Sequence, residues 1–258
     1  MQFKIITKEE FIKYHDDFNY NFYQNPLWSE VKKENGWGNL YTAVFDAKNK
    51  PLLISLVLSK KILGKYLYYA PRGPLLKEDV NREEVYTFYL TEIKKYLKTK
   101  EAILFKFDPL IEYAKHDKEG QVISDNNEQK FVDFLKKTGT KHRGFTIGYT
   151  DEAQFRWSYA LDIKNKTFDD LTKDMNSRCK RSIKKANKYP LIIKDVNDAS
   201  LKDFKDIMES TAERQHHGDR TLSYYQTLKN KLKDIIRMCL VYLDKEKFMA
   251  DINNGKYT

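Results

Sequence analysis

Hydrophobic positions change period along this chain, and the changes mark its elements. Thr7-Lys8-Glu9-Glu10 has the threonine-to-glutamate spacing in which each side chain caps the other's amide, which predicts a helix running through Phe11 and Tyr14. Asn25, Pro26 and Gly36 punctuate a second, short helix as N-cap, first helical residue and terminating left-handed residue. Inside it Trp28, Val31, Lys32 and Asn35 share one stripe, so Trp28 reads as a core anchor and Lys32 lays its stem along buried surface while its ammonium reaches outward. Leu40 to Phe45 and Leu52 to Leu58 are β-rich runs separated by Asp46, Lys48, Asn49 and Pro51, hence a hairpin, and Lys65 to Ala70 is a third strand. Pro71-Arg72-Gly73-Pro74 is an irregular loop. Val85, Phe88, Tyr89, Ile93, Tyr96 and Leu97 define an amphipathic helix, Ala102 to Phe107 a buried strand stopped by Asp108-Pro109, and Phe131 to Leu135 a helix ended by Gly139.

A second series follows. Trp157 to Ile163 alternates like a strand, and Thr167 to Met175 and Asn176 to Lys188 read as helices. Leu191 to Val196 is a strand, Ala199 to Glu213 and Thr221 to Leu232 are helices, and Ile235 to Leu243 is a buried strand before a helical start at Lys245 to Ile252. The expectation is a mixed α+β chain (α/β class) of two units, residues 1–147 and residues 148–244, the second with too few strands to complete a sheet, followed by a partly helical tail, 245–258.

Composition narrows the classes. A chain of 258 residues with 41% hydrophobic content can build sizeable cores. No apolar run approaches membrane-spanning length and the first residues have no signal-peptide pattern, so the expected location is cytoplasmic. Two cysteines, Cys179 and Cys239, are too few for a disulfide or zinc scaffold and read as small apolar fillers. The net charge of +10 points to an anionic partner. It is concentrated between Lys173 and Lys188, where seven basic residues face a single acid, Asp174.

Nucleotide-loop, serine-hydrolase and zinc-protease signatures are missing, and the adjacent His216 and His217 point apart on a helix, so no metal is expected. Gly36-Trp37-Gly38 follows a helix, whereas phosphate cradles precede one. On the helix 176–188, Cys179, Ile183 and Ala186 form the expected buried stripe, and Arg178, Arg181, Lys185 and Lys188 a separate cationic ridge. That ridge fits a phosphate backbone; a solvated face of a lysine-rich protein fits it equally. In Glu213 to Tyr225, Gly218 reads as the break between two helices, and Arg220 and Tyr224 then lie one turn apart where a guanidinium fork and helix amides could hold a phosphate.

Five segments, FYQNPLWSEVKKENGW (22–37), YYAPRGPL (68–75), FKFDP (105–109), MNSRCKRSIKKANKY (175–189) and STAERQHHGDRTLSYY (210–225), together resemble in order and spacing the Fem-type peptidyltransferases (FemA, FemB, FemX and MurM). The resemblance implies two acetyltransferase-like (GNAT-type) domains and transfer of an amino acid from aminoacyl-tRNA to the stem-peptide amine of a peptidoglycan precursor, building the interpeptide bridge. It implies that Lys32, Arg220 and Tyr224 hold the precursor's diphosphate and sugar in one site; with aminoacyl-tRNA as co-substrate, the ridge of Arg178, Arg181, Lys185 and Lys188 is then the expected contact for tRNA. No cofactor is implied beyond aminoacyl-tRNA as co-substrate; the acceptor is a UDP-linked or lipid-linked muropeptide, with peripheral association at the inner membrane face. Asp108 is the speculative proton acceptor. Family members are longer, some with a helical arm on the second domain, so residues 245–258 look like the start of that arm or a truncated tail, and this chain is expected to lack the closing strands of its second domain and to fall short of full turnover on that account. Two alternatives stay open: a coenzyme-A-dependent N-acyltransferase on the same fold, and an inactive precursor- or RNA-binding fragment.

Overall fold

The computed structural model describes residues 1–18, 21–117, 119–124, 128–145 and 154–257, which divide into two compact units, Met1–Ser158 and Tyr159–Thr258. The expected boundary after residue 147 falls outside the described residues.

The first unit is built on a six-stranded sheet. Its strands are β1 (Gln2–Ile6), β2 (Gly38–Phe45), β3 (Pro51–Ile62), β4 (Lys65–Ala70), β5 (Leu75–Leu76) and β6 (Ala102–Phe107). The order is β1-β2-β3-β4-β6, antiparallel except for the parallel β4–β6 pair, and β5 pairs with the early part of β3. β1 and β5 were not among the expected strands; β5, with two residues, is too short to show a period. Helices α1 (Lys8–His15) and α2 (Pro26–Glu34) precede β2, while α3 (Arg82–Lys98) and α4 (Gln129–Lys137) flank β6 in sequence. The capping box expected at Thr7 and Glu10 forms.

Because strand side chains alternate between faces, the sheet has a core on each side. Phe11 of α1 packs with Tyr41, Phe45 and Leu56 on one face; Val85, Tyr89, Ile93 and Leu97 of α3 pack with Val44, Leu53 and Val57 on the other. Tyr89 is fully buried with its hydroxyl 3.3 Å from Thr42 Oγ1, and burial pushes its pKa up to about 12. A raised folded-state value means this group's contribution is complete below its ordinary pKa and lost as pH climbs toward 12. Urea midpoints of the wild-type protein should therefore fall between about pH 9 and about pH 11.5, and by less in Tyr89→Phe. At about 1.4 kcal/mol per pKa unit the loss is of order 2–3 kcal/mol.

The second unit has less sheet than its sequence suggests. It contains α5 (Phe168–Lys173), α6 (Ser177–Ala186), β7 (Leu191–Asp195), α7 (Leu201–Arg214), α8 (Leu222–Leu232), β8 (Cys239–Leu243) and α9 (Lys245–Asn253). β7 and β8 form a two-stranded antiparallel ribbon. The strand expected over Trp157 to Ile163 does not form among the described residues: alternation fits a strand, but no described strand pairs with this segment, and Tyr159 is 99% exposed. The buried strand expected from Ile235 shortens to Cys239–Leu243 with only Leu240 buried, because β8 pairs with β7 alone. Similarly, the stripe of Cys179, Ile183 and Ala186 is not core. Cys179 and Ala186 are exposed and Ile183 is half-buried, and Cys239 is exposed too, so neither cysteine is the expected apolar filler.

Candidate functional site

Helix α2 is bounded as its sequence dictates. Asn25 Oδ1 accepts from the Leu27 amide at 2.8 Å, Pro26 opens the helix, and Gly36 closes it with φ 74°. The closure is a Schellman pair: the Gly36 amide donates to Lys33 O at 3.0 Å and the Trp37 amide to Lys32 O at 3.1 Å. That second bond turns the chain back so that Trp37 lies against Lys32. The Lys32 ammonium consequently sits 5.2 Å from the Trp28 ring and 5.2 Å from the Trp37 ring. Both tryptophans are half-buried, and Trp28 also packs on Phe22 (5.0 Å) and Tyr23 (5.9 Å). Trp28 is thus not the core anchor its stripe suggested. Val31, fully buried, fills that role, and Trp28 faces an aromatic cluster around a cation.

Three of the motif segments converge on the loop 71–74. Gln24 is fully buried; its Nε2 donates to Leu56 O (3.1 Å) and Pro71 O (2.8 Å), and its Oε1 accepts from the Leu56 amide (2.8 Å). Leu56 lies on β3 between the stretch paired with β5 and the stretch paired with β4, so the carboxamide takes the place of a strand residue in the gap. Asn21 adds a bond from its Nδ2 to Arg72 O at 2.8 Å. On the other side Asp108 accepts from the Arg72 amide (2.8 Å), the Tyr69 hydroxyl (2.9 Å) and the Gln154 amide (3.2 Å). Burial first, and then the Asp108 charge, raise the Tyr69 pKa, which keeps that hydroxyl a donor.

These contacts take about three of the four lone-pair directions a carboxylate offers. Asp108 is arranged to hold a loop that carries Arg72 at φ 51°. Asp108→Asn should lower the unfolding temperature by several degrees, because an amide nitrogen would replace one oxygen among donors. A variant melting like wild type but losing two or more orders of magnitude in rate would instead support Asp108 as the proton acceptor. The sequence assigned no role to Asn21 or Gln24, although Gln24 stands in the 22–37 motif and both lie just before the N-cap of α2.

In the second unit α7 ends earlier than Gly218. His216 adopts φ 56°, with its amide on Glu213 O (3.2 Å) and the His217 amide on Ala212 O (3.0 Å), so the left-handed residue closing α7 is a histidine. Thr221 caps α8 by accepting from the Tyr224 amide at 3.2 Å. Arg220 stands exposed one residue before that cap, its guanidinium carbon 5.5 Å from the Tyr224 ring. The structure brings these two together. Arg178, Arg181, Lys185 and Lys188 are all exposed on or just beyond α6. No group of three or more His, Cys, Asp or Glu suited to a metal occurs among the described residues, and no described helix is long and apolar enough to cross a membrane.

Comparison with known proteins supplies what geometry cannot. A family model described as the FemAB family matches residues 6–257. The chain is 26% identical over 258 residues to aminoacyltransferase FemA of Staphylococcus aureus and 27% identical to that of Staphylococcus epidermidis, covering 99% of this chain and 61% of each relative. Among solved structures, a crystal structure of FemX aligns with a TM-score of 0.77 at 23% identity, over 99% of this chain and 61% of that one, which establishes a shared fold.

Proposed function

This chain belongs to the FemAB family, and we propose that it transfers an amino acid from aminoacyl-tRNA to the stem-peptide amine of a peptidoglycan precursor. The observation that carries the proposal is the extent of the family match. It takes in both Lys32 and the Arg220–Tyr224 pair, cationic groups backed by aromatic rings and suited to a diphosphate with an attached sugar. The chain spans 61% of the length of these relatives, so the activity, the precursor and the tRNA all belong to the proposal.

The chemistry needs little from the protein. An aminoacyl ester is already activated, so the work lies in aligning an uncharged amine with the ester carbonyl and stabilising the oxyanion. The amine nitrogen bonds to the carbonyl carbon, the ester oxygen leaves with the tRNA, and the amine's proton passes to an acceptor. The ridge of Arg178, Arg181, Lys185 and Lys188 is proposed to contact the tRNA backbone, and Lys32, Arg220 and Tyr224 the precursor. No metal or organic cofactor enters this scheme.

The coenzyme-A alternative requires backbone amides free to bind a pyrophosphate between β4 and α3. In the segment 71–74 prolines 71 and 74 have no N–H, the Arg72 amide is taken by Asp108 and the Gly73 amide by Ala70 O. The β4–β6 pair also continues to Ala70 and Phe107, at the ends of the two strands. The segment 71–74 therefore offers a pyrophosphate no free backbone amide. Incubation of the protein with mixed aminoacyl-tRNAs and either a UDP-linked or a lipid-linked muropeptide should give, by mass spectrometry, a precursor heavier by one aminoacyl residue. Acyl transfer from acetyl-coenzyme A without tRNA would overturn the reading.

A further inference from the structure

An aspartate immediately before an arginine is its nearest carboxylate, and an ion pair between them would compete with any anionic ligand. Here that competition is removed. Asp219 Oδ1 accepts from the Tyr225 hydroxyl at 2.6 Å and its Oδ2 lies 2.9 Å from Lys205 Nζ. Lys205, on α7, also reaches Glu209 one turn on at 3.1 Å, and Tyr225, on α8, is buried edge-on against Phe204 of α7 at 5.3 Å. The Asp219 and Lys205 side chains are 12% and 15% exposed, in a region whose other ion pairs lie largely in solvent. The α7–α8 connection is thus pinned from both helices through one carboxylate. No carboxylate salt-bridges Arg220 among the described residues; its guanidinium lies on the Tyr224 ring, next to the pinned tyrosine.

We infer that Asp219 is a positioning residue: held by Lys205 and Tyr225, it fixes the connection so that Arg220, backed by Tyr224, presents its fork to a phosphate group. This inference rests on the proposed role of Arg220 in binding the precursor's diphosphate. The pKa of Asp219, about 2, fits the same geometry; the Tyr225 hydroxyl lowers it most, with Lys205 and the Arg220 amide adding to it against the opposing effect of desolvation. The carboxylate is therefore charged wherever the protein would be assayed.

Calorimetric titration of a UDP-linked muropeptide into wild type, Arg220→Ala, Asp219→Asn and the double variant tests it. Arg220→Ala should weaken binding by about 10- to 100-fold, as for a charge-assisted hydrogen bond, and Asp219→Asn by about fivefold or more. The double variant should bind no worse than Arg220→Ala alone, since one residue acts through the other. Tyr225→Phe, which removes the 2.6 Å bond while keeping the ring, should reproduce the Asp219→Asn loss, and serves if Asp219→Asn does not fold. A lowered melting temperature with unchanged affinity would mean that Asp219 only stabilises the loop, and losses that multiply in the double variant would mean that it acts on binding independently of Arg220; either would overturn the inference alone. Unchanged affinity in Arg220→Ala would overturn the reading of the site and the inference with it.

Discussion

Replacing Gln24 by alanine should cost the first unit about 3–5 kcal/mol, near the upper end for a single side chain. The change strands three buried backbone groups at once, the Leu56 amide, the Leu56 carbonyl and the Pro71 carbonyl, and leaves a cavity where the carboxamide stood. At roughly 2–4 °C per kcal/mol for a unit of this size, the unfolding midpoint should fall by about 10 °C. Gln24→Glu should be no better. It keeps the volume but cannot donate to either carbonyl, and it brings a charge into a fully buried position. Gly73→Ala approaches the same site from outside, because its Cβ would come within 2.5 Å of Gln24 Nε2 and neither neighbour is free to move. Thermal melts of the three variants check the account, and a Gln24→Ala loss below about 1 kcal/mol would refute it.

Lys32→Ala should weaken muropeptide binding by about 10- to 100-fold, with a melting temperature close to wild type. The ammonium is expected to act on the ligand, whereas the helix carrying it is fixed by its caps and by Val31. Lys32→Met separates the two contributions of the side chain. It retains an apolar stem between Trp28 and Trp37 without the charge, so it should bind as poorly as the alanine variant if the ammonium is what matters. Lys32→Arg keeps the charge and should recover most of the affinity. Full binding by Lys32→Met would reduce this lysine to a spacer between two rings.

Elements governed by contacts a few residues long were legible in the sequence. The capping box of α1, the Asn25-Pro26 start and Gly36 stop of α2, and the hairpin between β2 and β3 all formed where their residues indicated. β5 was missed because two residues carry no period, and β1, as long as β7, because it is defined by its partner β2 across the sheet. The end of α7 was read to within one residue, Glu213 against Arg214, but not the residue that closes it. Gly218 is the residue that most easily turns left-handed, yet His216 does so, where the Schellman bonds hold it. In the second unit, apolar alternation at Trp157 to Ile163 and the run before Leu243 gave the capacity for buried strands. Whether such strands are buried depends on what packs against them, and that is a long-range matter.

The candidate site divides along the same line. By itself the sequence determined which helix carries Lys32, that Arg220 and Tyr224 stand one turn apart, where the positive charge collects, and which family the motifs resemble, since these are set by spacing and residue type. Only the tertiary structure decided that Trp28 and Trp37 enclose Lys32, that Gln24 and Asp108 spend their polar atoms on the loop 71–74, and that Lys205 and Tyr225 draw Asp219 away from Arg220. Most of those are hydrogen bonds, ion pairs or ring contacts closed between separate elements, some of them far apart in the chain. The partner of a polar side chain is settled by which groups the fold leaves within about 3 Å of it, and no local period encodes that distance.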